Sequence, residues 1–182
     1  MLAGVVMRSD LVVDGLAFGR TRVGGDDATS SIASLFRRLR RNDVNLLLVS
    51  GAILSLYNIV DVDLLSKKTK LPVVCLTYKE TGGIEDSIRR HFPGRADSKL
   101  TAYRKLGARK RMKLKSGHSV FARTAGIRVD EAKAILDTFT LQGSVPEPIR
   151  VARLLARAAL ARRSSRRGSG FPSGRTSRGS LS

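Results

Sequence analysis

The short stretch that ends on Ser50-Gly51 is where this sequence places its clearest candidate for chemistry. The four apolar residues 46–49 predict a buried strand, which the Ser-Gly pair then stops. Ligands collect where such strands end, and many folds present a catalytic carboxylate there. Ser50 offers a hydroxyl instead, which is neutral and a weak ligand for metal ions. Whether the protein is an enzyme therefore depends strongly on this position.

Acidic side chains stand at the starts of two predicted helices. Asp27 follows Gly-Gly-Asp and precedes an apolar stripe with helical spacing, which is the position of an N-cap residue. Asp130 and Glu131 fall in the first turn of a helix predicted over residues 129–139, where carboxylates interact favourably with the helix dipole. Capping and dipole effects explain these acids without chemistry, so a catalytic role needs further support.

The chain carries a large excess of positive charge. It has 182 residues, with 34 Lys or Arg against 15 Asp or Glu, and a formal net charge of +19. Such a charge predicts attraction to the phosphate backbone of nucleic acids or to anionic membranes. Residues 99–115, which include Lys110 and Arg111, contain many cations and no acid. A solvated basic surface is the plainer explanation, but the size of the excess favours a nucleic-acid partner.

The composition disfavours several classes of protein. No apolar run approaches the ~20 residues that cross a bilayer, and the N-terminal residues lack the pattern of a signal peptide. The lone Cys75 lies in an apolar run, where it reads as a small core residue with no partner for a disulfide or a zinc site. We therefore expect a protein of the cytoplasm that does not bind a membrane.

A change in composition divides the chain into two parts. Hydrophobic residues make up 42% of the sequence, enough for a packed core in one domain over residues 1–163. Residues 164–182 consist mainly of Ser, Gly and Arg and predict a disordered basic tail, because they offer almost nothing to bury. Its arginines either add nonspecific phosphate contacts or have no role.

Apolar periodicity predicts an α/β arrangement that begins with an antiparallel hairpin. Strands are predicted over residues 2–7, 11–23, 44–49 and 71–78, with a second hairpin over 110–115 and 118–124. Helices are predicted over residues 28–41, 59–69, 84–92, 99–106, 129–139 and 146–162. In the second of these helices we expect Val60, Leu64 and Leu65 to face the core.

Three stretches of the sequence resemble one protein family. They are LAGVVMRSDLVVDGLAFGRTRVGGDDAT, VSGAILSLYNIVDVDLLSKKTKLPVVCLTY and TLQGSVPEPIRVARLLARA. In these stretches the chain resembles the archaeal endonuclease dU family, distant relatives of endonuclease V, and the resemblance covers residues 2–160. PEPIRVA is its most specific part, because the family has a similar Pro-Glu-Pro-x-Arg helix start.

The resemblance implies a ribonuclease-H-like fold, in which a mixed sheet is flanked by helices. It also implies an endonuclease that uses Mg²⁺ or Mn²⁺, held by clustered carboxylates, to cleave DNA containing deaminated bases such as deoxyuridine. The metal in such a site polarises the phosphoryl oxygen and supplies hydroxide near neutral pH. Family members open with a central strand containing Gly-x-Asp-Asp, and this sequence begins after it. We therefore expect the first central strand to be missing and the chain to be a truncated gene model or a fragment.

The resemblance assigns candidate catalytic roles to three positions. Ser50 takes the place of the family's second acid but cannot supply its charge. Asp27 and Asp130 match further acids of the family, so both are candidate metal ligands as well as helix-start residues. Endonuclease V relatives also carry a Gly-His pair before the penultimate helix, and Ile127 stands here in place of the histidine.

Further positions are candidate contacts to nucleic acid because they lie near the expected site or in basic stretches. They are Tyr57, Asn58, Lys110, Arg111 and Arg150. Asn58 matches the family's Asn-Val-Val-Asp stretch and is also placed to cap a helix. Tyr57 follows Ser50 in the same loop, where an aromatic ring can stack on a base. Arg150 either holds a phosphate at the start of the last helix or pairs with Glu147.

Two functions are favoured on this basis over a third, a module that binds a small molecule or a partner and whose charge is incidental. The first is a metal-dependent endonuclease acting on DNA with deaminated bases, supported by the resemblance and by the basic charge. The second is a nucleic-acid-binding protein that has lost its metal-binding acids, supported by Ser50 and Ile127. Nicking of a uracil-containing duplex separates the two.

Overall fold

The computed structural model describes residues 1–79 and 83–168, which form eight strands and six helices. The strands are β1 (Leu2–Met7), β2 (Val13–Gly19), β3 (Leu47–Ser50), β4 (Ile53–Leu54), β5 (Asn58–Ile59), β6 (Val73–Thr77), β7 (Lys110–Lys113) and β8 (Ser119–Ala125). The helices are α1 (Ala28–Arg38), α2 (Val62–Thr69), α3 (Glu85–His91), α4 (Ala96–Lys105), α5 (Val129–Phe139) and α6 (Glu147–Gly168), with a 3-10 turn over Pro93–Arg95.

A mixed four-stranded sheet in the order β3-β6-β8-β7 forms the centre of the fold. β3 and β6 are parallel, whereas β8 is antiparallel to both of its neighbours. In β6, Val73, Val74, Cys75 and Leu76 are all buried, because helices cover both faces of the sheet. The predicted α/β class, with a mixed sheet flanked by helices, is confirmed.

Alternate residues of β6 divide the core into two clusters, one on each face of the sheet. Val73 and Cys75 belong to the cluster formed with α1 and α2. Val74 and Leu76 belong to the cluster formed with α5 and the first turn of α6. Cys75 is therefore a core residue, as predicted, and burial raises the pKa of its thiol to about 12.

The hairpin β1-β2 forms a separate sheet beside the central one. Its two strands are antiparallel, and the register shifts between Val6 and Met7, which places a bulge next to Gly15. A groove of about 760 Å³ lies between β1 and β3. The hairpin therefore reaches the rest of the protein through α1 and α6, which both contact it, rather than through sheet hydrogen bonds.

The groove between β1 and β3 is lined mainly by apolar side chains. α5 contributes Ile135 and Phe139, and α1 contributes the stripe that its periodicity predicted. That stripe consists of Ile32, Leu35, Phe36 and Leu39. Within the described residues, no strand pairs with the edge of β1 or of β3 that faces this groove. Two unpaired strand edges and an apolar surface therefore meet in one place.

Two predicted elements differ from the structure in length. β2 is shorter than predicted because the turn before it extends through Leu11, which has a positive φ of 66°. α2 begins at Val62 rather than at residue 59, because residues 58–59 pair with β4 instead. Leu65 faces the core as predicted, but Leu64 is 40% exposed, against the prediction.

α6 continues past the predicted end of the domain. It runs from Glu147 to Gly168, so residues 164–168, assigned above to a disordered tail, belong to the helix. The Ala, Leu and Arg that are frequent in this helix are strong helix formers, which favours its extension. The rest of the predicted tail, residues 169–182, lies outside the described residues. Neither α6 nor any other described helix has the length and apolar character needed to cross a membrane.

We expect Leu65→Ala to destabilise the protein by about 2–5 kcal/mol, because Leu65 is completely buried where α2 packs on the central sheet. Leu64→Ala, at the neighbouring exposed position, should cost less than about 1 kcal/mol. Urea unfolding followed by circular dichroism measures the free energy of unfolding of both variants. Equal losses would contradict the orientation of α2.

Candidate functional site

Ser50, the last residue of β3, is bonded to a cation from α6. The guanidinium of Arg153 donates to the Ser50 hydroxyl oxygen from Nε at 3.1 Å and from Nη2 at 2.7 Å. The same guanidinium lies over the ring of Tyr78, 4.6 Å from its centroid. All three side chains are partly buried, and Ser50 and Arg153 line the groove. An arginine thus holds the hydroxyl at the position where the sequence resemblance implied an acid.

Backbone geometry at the end of β3 holds Ser50 in place. Gly51 has a φ of +88°, a left-handed conformation that glycine adopts without strain. Its N–H donates to the carbonyl of Leu76 at 2.8 Å, which continues the parallel ladder for one more bond. The chain then passes through β4 and turns back over residues 55–57, which all have positive φ. Gly51 therefore lets the strand stop and leaves Ser50 at the rim of the groove.

Tyr78 follows the last residue of β6 and brings a second hydroxyl to this contact. Burial raises the pKa of Tyr78 to about 12, although the charge of Arg153 and the nearby Ser50 act in the opposite direction. Its hydroxyl makes no well-formed hydrogen bond with any described residue. The phenol is therefore neutral at pH 7 and keeps a proton that it can donate.

A second polar cluster joins the segment before α1 to β5, with the completely buried Asn58 at its centre. The side-chain nitrogen of Asn58 donates toward Thr21 Oγ1 at 2.8 Å, the Arg22 carbonyl at 2.9 Å and Asp27 Oδ1 at 2.7 Å. Its amide oxygen accepts from the backbone N–H of Ala28 at 2.9 Å. These bonds occupy the whole amide, and complete burial leaves Asn58 no surface for a contact with nucleic acid.

Asp27 stands at the N-cap position of α1, as predicted, but its carboxylate does not cap the helix. It accepts hydrogen bonds from Thr21 Oγ1 at 2.9 Å, from the Arg22 backbone N–H at 3.2 Å and from Asn58. Burial opposes the charge on Asp27, but these hydrogen bonds outweigh it and lower the pKa to about 2. Asp27 is therefore ionised, and neighbouring groups already use its oxygens.

Asp130 lies at the exposed start of α5, where it pairs with Arg128. The guanidinium donates to both carboxylate oxygens, at 3.2 and 2.8 Å, and these bonds lower the pKa of Asp130. Among the described residues, no group of three or more His, Cys, Asp or Glu could hold a metal ion. Asp27 and Asp130 are not brought together, so the described residues do not fit Mg²⁺ or Mn²⁺.

Tyr57 and Arg150 make contacts within the protein. The ring centroid of Tyr57 lies 5.6 Å from that of His91 and 6.1 Å from that of Phe92. Arg150 pairs with Glu147, with 3.2 Å between Nε and Oε1. Of the two roles expected for Arg150, the pairing with Glu147 is therefore the one that the structure contains.

Lys110 and Arg111 are exposed on β7, the edge strand of the central sheet. Met112 follows them and is buried, so the strand is fixed to the core while its cations extend into solvent. This arrangement leaves both positive charges accessible to a phosphate backbone. Their predicted role as nucleic-acid contacts stays a prediction.

A buried cation, Lys99, was not recognised from the sequence, which grouped it with the basic run over residues 99–115. Lys99 is 1% exposed, and its ammonium donates to the carbonyls of Gly25 and Tyr57, at 3.0 and 3.1 Å, and to Asp26 Oδ1 at 2.8 Å. The helical spacing carried a signal, because Lys99 lies three residues after Ala96 on the buried face of α4. Lys99 anchors α4 and does not belong to the basic surface.

Comparison with known proteins identifies the family. The family model described as Endonuclease dU matches residues 1–160 of the chain. The chain belongs to the Endonuclease dU family. A UPF0215 protein of Pyrobaculum aerophilum is 37% identical over 158 residues, which cover 86% of this chain and 84% of that relative. The family predicted from the sequence is thereby confirmed.

Two solved structures share the fold of this Endonuclease dU family member. A protein of unknown function from Archaeoglobus fulgidus has a TM-score of 0.73 at 24% identity, covering 86% of this chain and 88% of that chain. Endonuclease V from Ciona intestinalis, in complex with a 24mer DNA containing an inosine, has a TM-score of 0.54 at 13% identity, covering 87% and 77%. The fold is therefore of the ribonuclease-H-like type found in endonuclease V.

We expect Asn58→Ala to lower the free energy of unfolding by about 2–4 kcal/mol, because it leaves the buried N–H of Ala28 without its acceptor and removes one of the donors to Asp27. Asn42→Ala, at an exposed position, should change stability by less than about 0.5 kcal/mol. Chemical denaturation measures both variants. A loss for Asn58→Ala as small as that of Asn42→Ala would contradict the role assigned to this amide.

The acid dependence of stability should report on Asp27. Its folded pKa of about 2 lies below the ordinary value of 3.8, so the ionised carboxylate stabilises the fold at pH values above the ordinary one. This contribution is lost as the pH falls from about 4 through about 2, where the folded carboxylate takes up its proton. Asp27→Asn should therefore lower stability at neutral pH and flatten the pH dependence in that window.

Urea unfolding across a pH series tests this expectation for Asp27. Asp63→Asn, which removes an exposed carboxylate from α2, is the matched control and should keep the pH profile of the unmodified protein. An unchanged profile in Asp27→Asn would contradict the stabilising network around that residue.

Proposed function

We propose that this protein is an endonuclease of the endonuclease V type that acts on DNA containing deaminated bases, deoxyuridine above all, and so serves DNA repair. The observation that carries the proposal is the match of residues 1–160 to the Endonuclease dU family. The fold shared with an endonuclease V that was solved with inosine-containing DNA supports it. We expect the activity in the cytoplasm, because the sequence has a single cysteine and no disulfide to form.

Exposed cations supply the part of the binding that does not depend on sequence. The net charge of +19 attracts a phosphate backbone, and Lys110 and Arg111 present two of these charges on β7. Each contact with a phosphate releases condensed counterions, so the affinity for DNA falls as the salt concentration rises. Binding that ignored salt would therefore be inconsistent with this surface.

Mg²⁺ or Mn²⁺ is the cofactor that the family's chemistry implies. A metal ion in such sites polarises the phosphoryl oxygen and is held by converging carboxylates. Asp27 and Asp130 are ionised but sit in separate hydrogen-bond networks, and Ser50 is bonded to Arg153. A metal-dependent reaction therefore needs carboxylates beyond this described set.

Binding of nucleic acid without cleavage is a second candidate function, and the arrangement at the end of β3 favours it. Arg153 is a fixed positive charge beside Ser50, and such a charge attracts phosphate but repels a divalent cation. In this case the basic surface binds DNA, and the acids that would hold a metal ion for cleavage have been lost.

Incubation with a duplex that contains one deoxyuridine, in Mg²⁺ and in Mn²⁺, separates the two functions. An endonuclease should nick this duplex about tenfold or more faster than an undamaged one and should stop when the metal is chelated. Selective binding of the deoxyuridine duplex without nicking would favour the second function. A protein that neither nicks nor binds duplex DNA would contradict both.

A pair of double variants controls for unspecific loss of charge in the same binding assay. Lys110→Gln with Arg111→Gln removes two exposed cations of β7. It should lower the slope of log affinity against log salt concentration by the amount that about two phosphate contacts contribute. Lys67→Gln with Lys68→Gln removes two exposed cations from α2 and should have a smaller effect. Equal effects would mean that β7 is not a preferred contact.

A further inference from the structure

Arg153 combines partial burial with the absence of a carboxylate partner among the described residues. It makes no ion pair with any described residue, although it is partly buried and lies at the rim of the groove. Its planar face is covered by the ring of Tyr78. A partly buried positive charge without a carboxylate is costly, unless an anion from outside the described chain shares its environment.

The polar groups beside Arg153 are donors that lack an acceptor. Ser50 Oγ accepts from both Nε and Nη2 of Arg153, so its own hydroxyl proton remains to be donated. The hydroxyl of Tyr78 is neutral and buried beside Ser50, so it does not face the groove. Arg153 has five N–H donors in all, and Ser50 accepts from only two of its nitrogens. Arg153 and Ser50 therefore offer protons at one place where no described carboxylate takes them.

The position of this cluster makes it reachable. It lies at the carboxyl end of the parallel strands β3 and β6, where ligands of α/β folds bind. Among the described residues, only the carbonyl oxygen of Ile53, at 3.7 Å, comes within 4 Å of the Cβ position of Gly51, so the chain is not crowded beside Ser50. A ligand can approach Ser50 and Arg153 through the groove that both residues line.

We propose that Arg153 and Ser50 form an oxyanion site that binds a phosphate group, with the ring of Tyr78 packed against the guanidinium. Arginine is suited to this ligand because its planar fork matches two oxygens of a phosphate, and charge-assisted bonds are the strong ones. The hydroxyl of Ser50 completes the site as a neutral donor. Where the phosphate belongs to DNA, this inference rests on the proposed function and names the group that grips the backbone at the centre of the fold.

Calorimetric titration with inorganic phosphate at constant ionic strength tests the site without reference to cleavage. Arg153→Gln should weaken phosphate binding about tenfold or more, because it removes both the charge and the fork. Arg157→Gln, one turn further along α6 at an exposed position, is the matched control and should change binding less than about twofold. Arg153→Lys should bind more weakly than the unmodified protein, because it keeps the charge but loses the fork.

Two further variants keep the test decisive if the arginine variants do not fold. Ser50→Ala removes a hydroxyl at the rim of the groove with little change in shape, and should weaken phosphate binding about fivefold. Tyr78→Phe keeps the ring beside Arg153 and removes only a buried hydroxyl, so it should change binding less than about twofold. Circular dichroism verifies that the variants are folded. Equal losses in Arg153→Gln and Arg157→Gln, or phosphate affinity unaltered in Ser50→Ala, would overturn the site.

Competition with a short single-stranded oligonucleotide distinguishes the sources of the phosphate. Displacement of inorganic phosphate by the oligonucleotide, with the same dependence on Arg153, supports a site for the nucleic-acid backbone. Phosphate binding that the oligonucleotide does not displace supports a site for free phosphate. The nicking experiment is independent of both results, so failure of this site and failure of the proposed nuclease are told apart.

Discussion

The buried amide of Asn58 is the interaction on which the arrangement of this protein depends most. It joins three parts of the chain that are distant in sequence: the segment before α1, the first N–H of α1 and strand β5. A buried amide is stable only when its donors and acceptor are all bonded, so these parts are held in one geometry rather than in several. This contact also fixes the position of the loop after Ser50, because β5 forms the end of that loop.

The larger elements were predictable because their signals are local. β1 and α5 have the predicted bounds, and the apolar run of β6 predicted a strand buried on both faces. The errors arose where a tertiary contact replaced a local one. Asp27 has the residue type and the position of a helix cap. However, Asn58, thirty-one positions away, accepts the hydrogen bond from the first N–H of α1 and donates one to the carboxylate of Asp27. The sequence predicted Lys99 to be a surface cation. The three acceptors that bind its ammonium belong to other segments of the chain, so no local pattern revealed them.

The candidate site was harder to predict than the fold, because it also depends on contacts between segments that are distant in sequence. Ser50 could be singled out from the sequence because a strand end is a local feature, and the expectation that it lacks the charge of an acid holds. Its partner Arg153 lies 103 positions later in a helix with many arginines, and nothing in the spacing distinguishes it from Arg157. Only the approach of α6 to β3 selects one guanidinium from this set. The end of β3 thus carries a cluster of hydrogen-bond donors, with no described carboxylate beside it.

The groove between β1 and β3 has a consequence for the behaviour of the protein at high concentration. Unpaired strand edges beside an apolar surface are templates on which copies of a chain can pair. The charge of +19 opposes such encounters through long-range repulsion, which acts over about 10 Å in 0.1 M salt and over only about 3 Å at 1 M. Colloidal stability therefore comes from electrostatics rather than from a covered edge, and crowded, salt-rich solutions are where self-association of this fold would begin.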